Sequence, residues 1–133
     1  MQYWLMKSEP ESYSWDDLVR DGGTEWDGVR NAAAALHLKA MQVGDRAFFY
    51  HSGKQKAVVG TMEITRTAQQ DGPEPRWVSV AVKPLDALAR PVTLSEIRGA
   101  PALAALEMLR QSRLSVSPVR PAEWEAILAL SGI

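Results

Sequence analysis

Three segments of strand composition crowd into residues 46–83, and they restrict the fold more than any other feature of the chain. RAFFYH, from Arg46 to His51, is aromatic and bounded by turn residues. AVVGTMEITRT at 57–67 follows Ser52-Gly53-Lys54-Gln55-Lys56, a polar connection of hairpin type. Met62 and Ile64 alternate there with Glu63 and Thr65, and Gly60 falls where a bulge or a close backbone approach is expected. WVSVAVK at 77–83 alternates without a break. It sets Val78, Val80 and Val82 on a buried face and Trp77, Ser79, Ala81 and Lys83 on the other. Between them AQQDGPEPR at 68–76 is built of breakers and reads as a loop. Two more extended segments bracket this region. QYWLMK at 2–7 is a nearly continuous apolar run stopped by Pro10, and LSVSPV at 114–119 lies near the end.

Helices are signalled by their caps. Ser14, with Asp16 and Asp17 behind it, predicts a short helix that Gly22-Gly23 stops, with Trp15, Leu18 and Val19 facing inward. Asn31 is a good N-cap for an alanine-rich helix from Ala32 to about Met41, with Leu36, Ala40 and Ala33 on its inner face. His37 lies on this helix and is given no role. Thr93 with Glu96 three residues later is a capping-box pattern. Residues 101–110 read as a further helical segment, with Leu103, Leu106 and Leu109 or Arg110 on one face. Pro121 opens a last helix and Gly132 lies past its end. Short strands mixed with helices in one chain of 133 residues predict a single α+β domain over residues 1–133. The strands are expected to close into a small mixed β-barrel with the helices packed around it.

Several functions are excluded by composition. With no cysteine, disulfide scaffolds, thiol catalysis and cysteine-based zinc sites are out, and His37 and His51 are too few for a histidine-rich metal site. Neither a metal nor a cofactor is therefore expected. A net charge of -1 argues against coating long duplex nucleic acid by phosphate neutralisation alone, while leaving room for a pocket that reads one nucleotide. No leader pattern or membrane-length apolar run is present, so a cytoplasmic protein without membrane attachment is expected. Nothing in the sequence fixes an oligomeric state.

Polar groups of possible function collect in three places. WDGVRN at 26–31 sets Trp26, Val29, Arg30 and Asn31 around a helix N-terminus, a place that suits an acceptor-rich or anionic ligand. The alternative is a mere connection, with Trp26 in the core and Arg30 paired to Asp27 or Glu25. Lys7, Ser8 and Glu9 stand together where the first strand ends, as a ligand-facing cluster or an ordinary polar turn. His51 and Ser52 are adjacent, so on one regular strand they would point to opposite faces and cannot pair as base and nucleophile. Both can border one pocket only if Ser52 has left the strand.

Taken in series, these stretches resemble a known family. YWLMKSEP at 3–10, WDGVRN, MQVGD at 41–45, FFYHS at 48–52, Gly60, and RLSVSPV at 113–119 look like the EVE domain, in the right order along nearly the whole chain. That family belongs to the PUA-like superfamily, with the YTH and ASCH domains as relatives. The resemblance implies a PUA-like barrel and a pocket for a modified base, such as a modified cytosine, in RNA or DNA. Carried onto this sequence, it makes Trp26 the stacking platform, with Tyr50 or Trp4 closing the other side. Ser8, Asn31, His51 and Ser52 would read the base edge, and Lys7, Arg30 and Arg113 would hold phosphate. Asn31 cannot use one oxygen both to cap its helix and to read a base.

The chain also departs from the family pattern. Ala32–Ala35 stand where most members carry a tyrosine, a glutamine and an alanine-arginine pair, and the segment between Ile64 and Trp77 is shorter than usual. The arginine that would extend a basic rim is missing, which favours a free modified nucleoside or another small molecule as a second reading. A third is an ASCH-like hydrolase, which would need Lys7, Glu9 and His51 or Ser52 to converge.

Overall fold

The computed structural model describes residues 1–132. Six strands form one mixed sheet: β1 (Tyr3–Ser8), β2 (Thr24–Trp26), β3 (Arg46–His51), β4 (Ala57–Gln70), β5 (Val78–Thr93) and β6 (Val116–Val119). Five helices accompany it: α1 (Trp15–Asp21), α2 (Ala32–Ala40), α3 (Leu94–Arg98), α4 (Glu107–Arg110) and α5 (Pro121–Leu130). The strand order is β2-β5-β4-β3-β1-β6. β1 runs parallel to β3, and every other pairing is antiparallel.

The α+β class is as expected, but the sheet is not closed by hydrogen bonds. Among the described residues β2 and β6 pair with β5 and β1 and not with each other. The closed barrel is thus replaced by an open sheet, and α2 fills the remaining side. It packs on β6 at one edge and on β4 and β5 toward the other. The β4–β5 ladder shifts register four times, and such bulges bend strands and increase their twist.

Two apolar clusters lie on the two faces of the sheet, and β3 serves both. Phe49 joins Trp4, Met6, Trp15, Trp26, Leu38, Met62 and Ile64 on one side. Phe48 and Tyr50 join Leu5, Val58, Val92, Trp124 and Ile127 on the other. Consecutive strand residues point to opposite faces, so a strand buried on both sides reads as continuously apolar.

The caps fall as the sequence expects. Ser14 and Asp17 form a capping box and Gly22 ends α1 in the left-handed region at φ 71. The Asn31 side chain accepts from the Ala34 N–H at 2.9 Å. Thr93 and Glu96 form the second box. Other expectations fail on phase or extent. In α2 the inner face is Ala34, Ala35 and Leu38, while Leu36 is 64% exposed and Ala33 and Ala40 also face out. Leu36 and Leu38 lie two residues apart, on nearly opposite sides of a helix, so only one can be inward and the alanines around them do not say which. Val19 is exposed because Trp15 and Leu18 suffice to bury the narrow inner stripe of α1. β4 runs on to Gln70, so the loop starts only at Asp71, and β5 continues through Pro84 and Pro91 to Thr93. Residues 101–110 are not one helix. A 3-10 turn at Pro101–Leu103 and the short α4 share them, burying Leu103, Leu106 and Met108.

Candidate functional site

Parallel pairing of β1 and β3 brings two of the polar motifs to one end of the sheet. Lys7 stands opposite Tyr50 and Ser8 opposite His51, and the Ser52 N–H donates to the Ser8 carbonyl at 3.0 Å. β6 begins beside them, where the Lys7 N–H donates to the Ser115 carbonyl at 2.9 Å. WDGVRN arrives at the same end from β2, whose Trp26 pairs with Val80 of β5.

Because neighbours on a strand alternate, the residues split between two clefts. The first, of about 480 Å³, is lined by Lys7, Glu9, Tyr50, Ser52, Lys56 and Arg98, with Met108, Leu109, Arg113 and Ser115. The second, of about 540 Å³, is lined by Lys7, Ser8, Tyr13, Trp26, Asp27, Val29 and Arg30, again with Ser115. Lys7 and Ser115 border both. Trp26 packs among the residues of one face of the sheet and Tyr50 among those of the other. They do not enclose one ligand between them, and a two-ring sandwich on Trp26 and Tyr50 is ruled out by the pleat of β3.

Several candidate residues hold other positions than expected. Trp4 is 5% exposed and its indole N–H donates to Asp45 at 3.1 Å, so it anchors the turn before β3 and offers no stacking face. His51 Nε2 accepts from the Trp15 backbone N–H at 3.0 Å, which places the ring proton on Nδ1 and makes it the donor to Gln55 Oε1 at 2.6 Å. With both nitrogens engaged and no place in the lining of either cleft, His51 acts as a rivet and not as an edge reader. Asn31 uses its oxygen on the helix cap and lies with Arg113 beside a third, shallower hollow. Arg30 pairs with neither Asp27 nor Glu25. It donates to Asp71 Oδ2 at 3.0 Å, and the same oxygen accepts from the Gly28 N–H at 2.9 Å. The β4–β5 connection thus clamps the WDGVRN turn from 41 residues away, and much of the Arg30 charge is compensated.

The groups left to meet a ligand are chemically mixed. Trp26 is 7% exposed and sets its ring edge-on to Phe49 at 5.4 Å between centroids, so it walls the second cleft with a margin of ring. Tyr13, a residue that sequence reasoning passed over, lies partly exposed beside it, with its hydroxyl on Asp21 at 2.8 Å. Ser8 donates to the Tyr13 carbonyl at 2.6 Å, which leaves its lone pairs for a ligand donor. Asp27 is exposed and has no hydrogen bond or ion pair among the described residues. Glu25 accepts from the Ser79 hydroxyl at 2.9 Å and pairs with Arg66, whose hydrogen bond holds its carboxyl below the usual range.

Between the clefts, the Lys7 ammonium donates to the Ser112 carbonyl at 2.9 Å and sits 5.8 Å from the Tyr50 ring centroid. Burial lowers the pKa of Lys7 and raises that of the Tyr50 phenol, against which the nearby Arg98 charge acts. Lys7, Glu9 and Ser52 share the first cleft, but no hydrogen bond links them among the described residues, and His51 is not with them. No cluster of three His, Asp or Glu suited to a metal exists among the described residues. No helix there is long and apolar enough to cross a membrane.

Comparison with known proteins agrees with the residue pattern. The model of the EVE domain matches residues 2–130. Thymocyte nuclear protein 1 of Rattus norvegicus is 35% identical over 96% of this chain and 73% of its own length. Among solved structures, Rpa0253 from Rhodopseudomonas palustris is 44% identical with a TM-score of 0.94, over 99% of this chain and 94% of that one. The human THYN1 protein, solved in complex with DNA containing 5-methylcytosine, is 31% identical with a TM-score of 0.91, over 100% of this chain and 99% of that one. This chain belongs to the EVE domain family.

Proposed function

We propose that the chain is a non-catalytic reader of a modified base in nucleic acid, with the second cleft as the base pocket. One observation carries the reading. Trp26, Val29 and Tyr13 meet Ser8, Asp27 and Lys7 in a single cleft, although they come from separate stretches of the chain. A base extruded from its strand needs apolar and aromatic walls and a few acceptors and donors on its edge. A cytosine presents an exocyclic amine, and a carboxylate such as that of Asp27 is a fitting acceptor for it. A methyl group on the ring needs apolar contact, which Val29 and the Trp26 margin offer. The relative whose structure holds 5-methylcytosine DNA supports cytosine as the parent base. A cytoplasmic setting, and RNA as an equal alternative to DNA, are part of this reading.

The test is a titration of matched single-stranded oligonucleotides, DNA and RNA, with one cytosine either methylated at C5 or not. Burying one methyl contributes about 0.8 kcal/mol, so wild type should prefer the methylated strand about fourfold. Asp27→Ala should weaken both strands roughly tenfold by removing a hydrogen bond to the amine. Trp26→Phe is the safer probe of the wall, because Trp26→Ala would empty part of the core. Equal binding of methylated and unmethylated strands, in both DNA and RNA, would remove this function.

A further inference from the structure

The chain carries 15 Lys and Arg residues, and most are neutralised where they stand. Arg20, Arg30, Arg66, Arg76, Lys83, Arg90, Arg110 and Arg120 are all in ion pairs. The seven left are not scattered. Lys7, Lys56, Arg98 and Arg113 line the first cleft, and Lys54 lies beside it in a hollow shared with Lys56 and Arg98. Only Lys39, on the exposed side of α2, and Arg46, at the far end of β3, stand elsewhere. Against these cations the first cleft sets one carboxylate, Glu9. A chain with a net charge of -1 thus gathers at one place five of the seven cations that have no ion pair among the described residues.

The floor of the cleft is not polar. Tyr50, Leu94, Met108 and Leu109 form it, beneath the cationic rim. Lys7 is half-buried there without a carboxylate partner among the described residues, so an anion would restore part of the solvation its ammonium has lost. An apolar floor below a ring of cations matches a sugar-phosphate chain, whose sugar faces can rest below while its phosphates meet the rim.

We propose that the first cleft seats the phosphodiester backbone flanking the read base, with one strand crossing the saddle made by Lys7 and Ser115. The base enters the second cleft, and the adjoining phosphates meet Lys56, Arg98 and Arg113. This rests on the base-reading function for its direction but makes a claim of its own. The polymer is held by a cleft that does not inspect the base. It also shifts the phosphate role away from Arg30, which Asp71 already occupies.

The experiment titrates wild type and variants with the same methylated and unmethylated single strands over a salt series. For single strands, log K falls against log salt by about 0.7 per phosphate neutralised. Three or four contacts give wild type a slope of roughly -2 to -3. Lys56→Ser, Arg98→Ser and Arg113→Ser should each flatten it by about 0.7. They should weaken both strands alike, leaving the methyl preference unchanged. Lys39→Ser and Arg46→Ser, at positions likewise exposed and without an ion pair among the described residues, should leave slope and affinity as in wild type. Cleft variants that keep the wild-type slope, or controls that flatten it as much, would overturn the proposal while the methyl preference still stood for base reading. If instead wild type showed no methyl preference and the cleft variants still flattened the slope, the base pocket would fall and the backbone seat would stand.

Discussion

Gly60→Ala should destabilise the protein, although alanine is ordinarily the less costly residue. A Cβ at position 60 would lie 2.5 Å from Cη2 and Cζ3 and 2.6 Å from Cε3 of the Trp15 ring. That ring cannot swing aside. It is 8% exposed, packs edge-on to Phe49 at 5.7 Å, and its own backbone N–H is held by His51 at 3.0 Å. Forcing a methyl into a packed core costs about 1–3 kcal/mol. Alanine recovers about 0.4–1 kcal/mol by restricting the unfolded chain. The net loss is about 1–2 kcal/mol, or roughly 4–8 °C in Tm for a domain of this size. Thermal and urea unfolding followed by circular dichroism measure it. The cause is isolated by repeating the substitution in a Trp15→Phe background, where the outer ring atoms are gone and the cost of the methyl should fall by at least about 1 kcal/mol. A Gly60→Ala protein as stable as wild type, or an undiminished loss in the Trp15→Phe background, would refute the reasoning.

Two further outcomes concern stability. The Arg90 side chain, together with the Thr93 N–H, holds the Glu96 carboxyl down at about 2 against an ordinary 4.5. Its contribution is therefore complete above the ordinary value and is lost as pH falls from there toward 2, so Glu96→Gln should flatten the urea midpoint across that window. The Ser117 hydroxyl is buried with no partner among the described residues, so Ser117→Ala should raise stability by about 1 kcal/mol. An upward shift of the urea midpoint at constant slope is the check, and a downward shift would mean the hydroxyl is satisfied.

What could be read in the sequence was what local chemistry decides. Ser14, Asn31 and Thr93 cap their helices because a side-chain oxygen three residues before an open N–H does so in any context. Gly60 could be flagged because a glycine inside a strand is costly without a reason, and the reason is the Trp15 ring. The inner face of α2 was not legible, since its alanines fit either phase and tertiary packing chose Leu38. The opposition of Trp26 and Tyr50 across the sheet was equally hidden. It depends on the phase of β3 relative to β2, which no local pattern encodes. The clamp of Asp71 on Gly28 and Arg30 joins residues that only the fold makes neighbours. Of the cationic rim, only Lys7 and Arg113 could be singled out from the sequence, through the family resemblance, while Lys56 and Arg98 carry no local signal. That Lys56 and Arg98 have no ion pair among the described residues while Arg30 has one is a property of the three-dimensional set of carboxylates.

β3 separates the two clusters as a party wall separates two houses. Phe48 and Phe49 belong to different interiors yet hang from the same six residues of backbone. Unfolding that reaches β3 from either side takes the strand from both interiors, so the two are expected to unfold together. A ligand in either cleft stabilises the folded state that both clefts share, by RT ln(1 + [L]/Kd). If the proposed base and backbone seats are both used, a strand that engages either one draws its stabilisation from the fold that carries both.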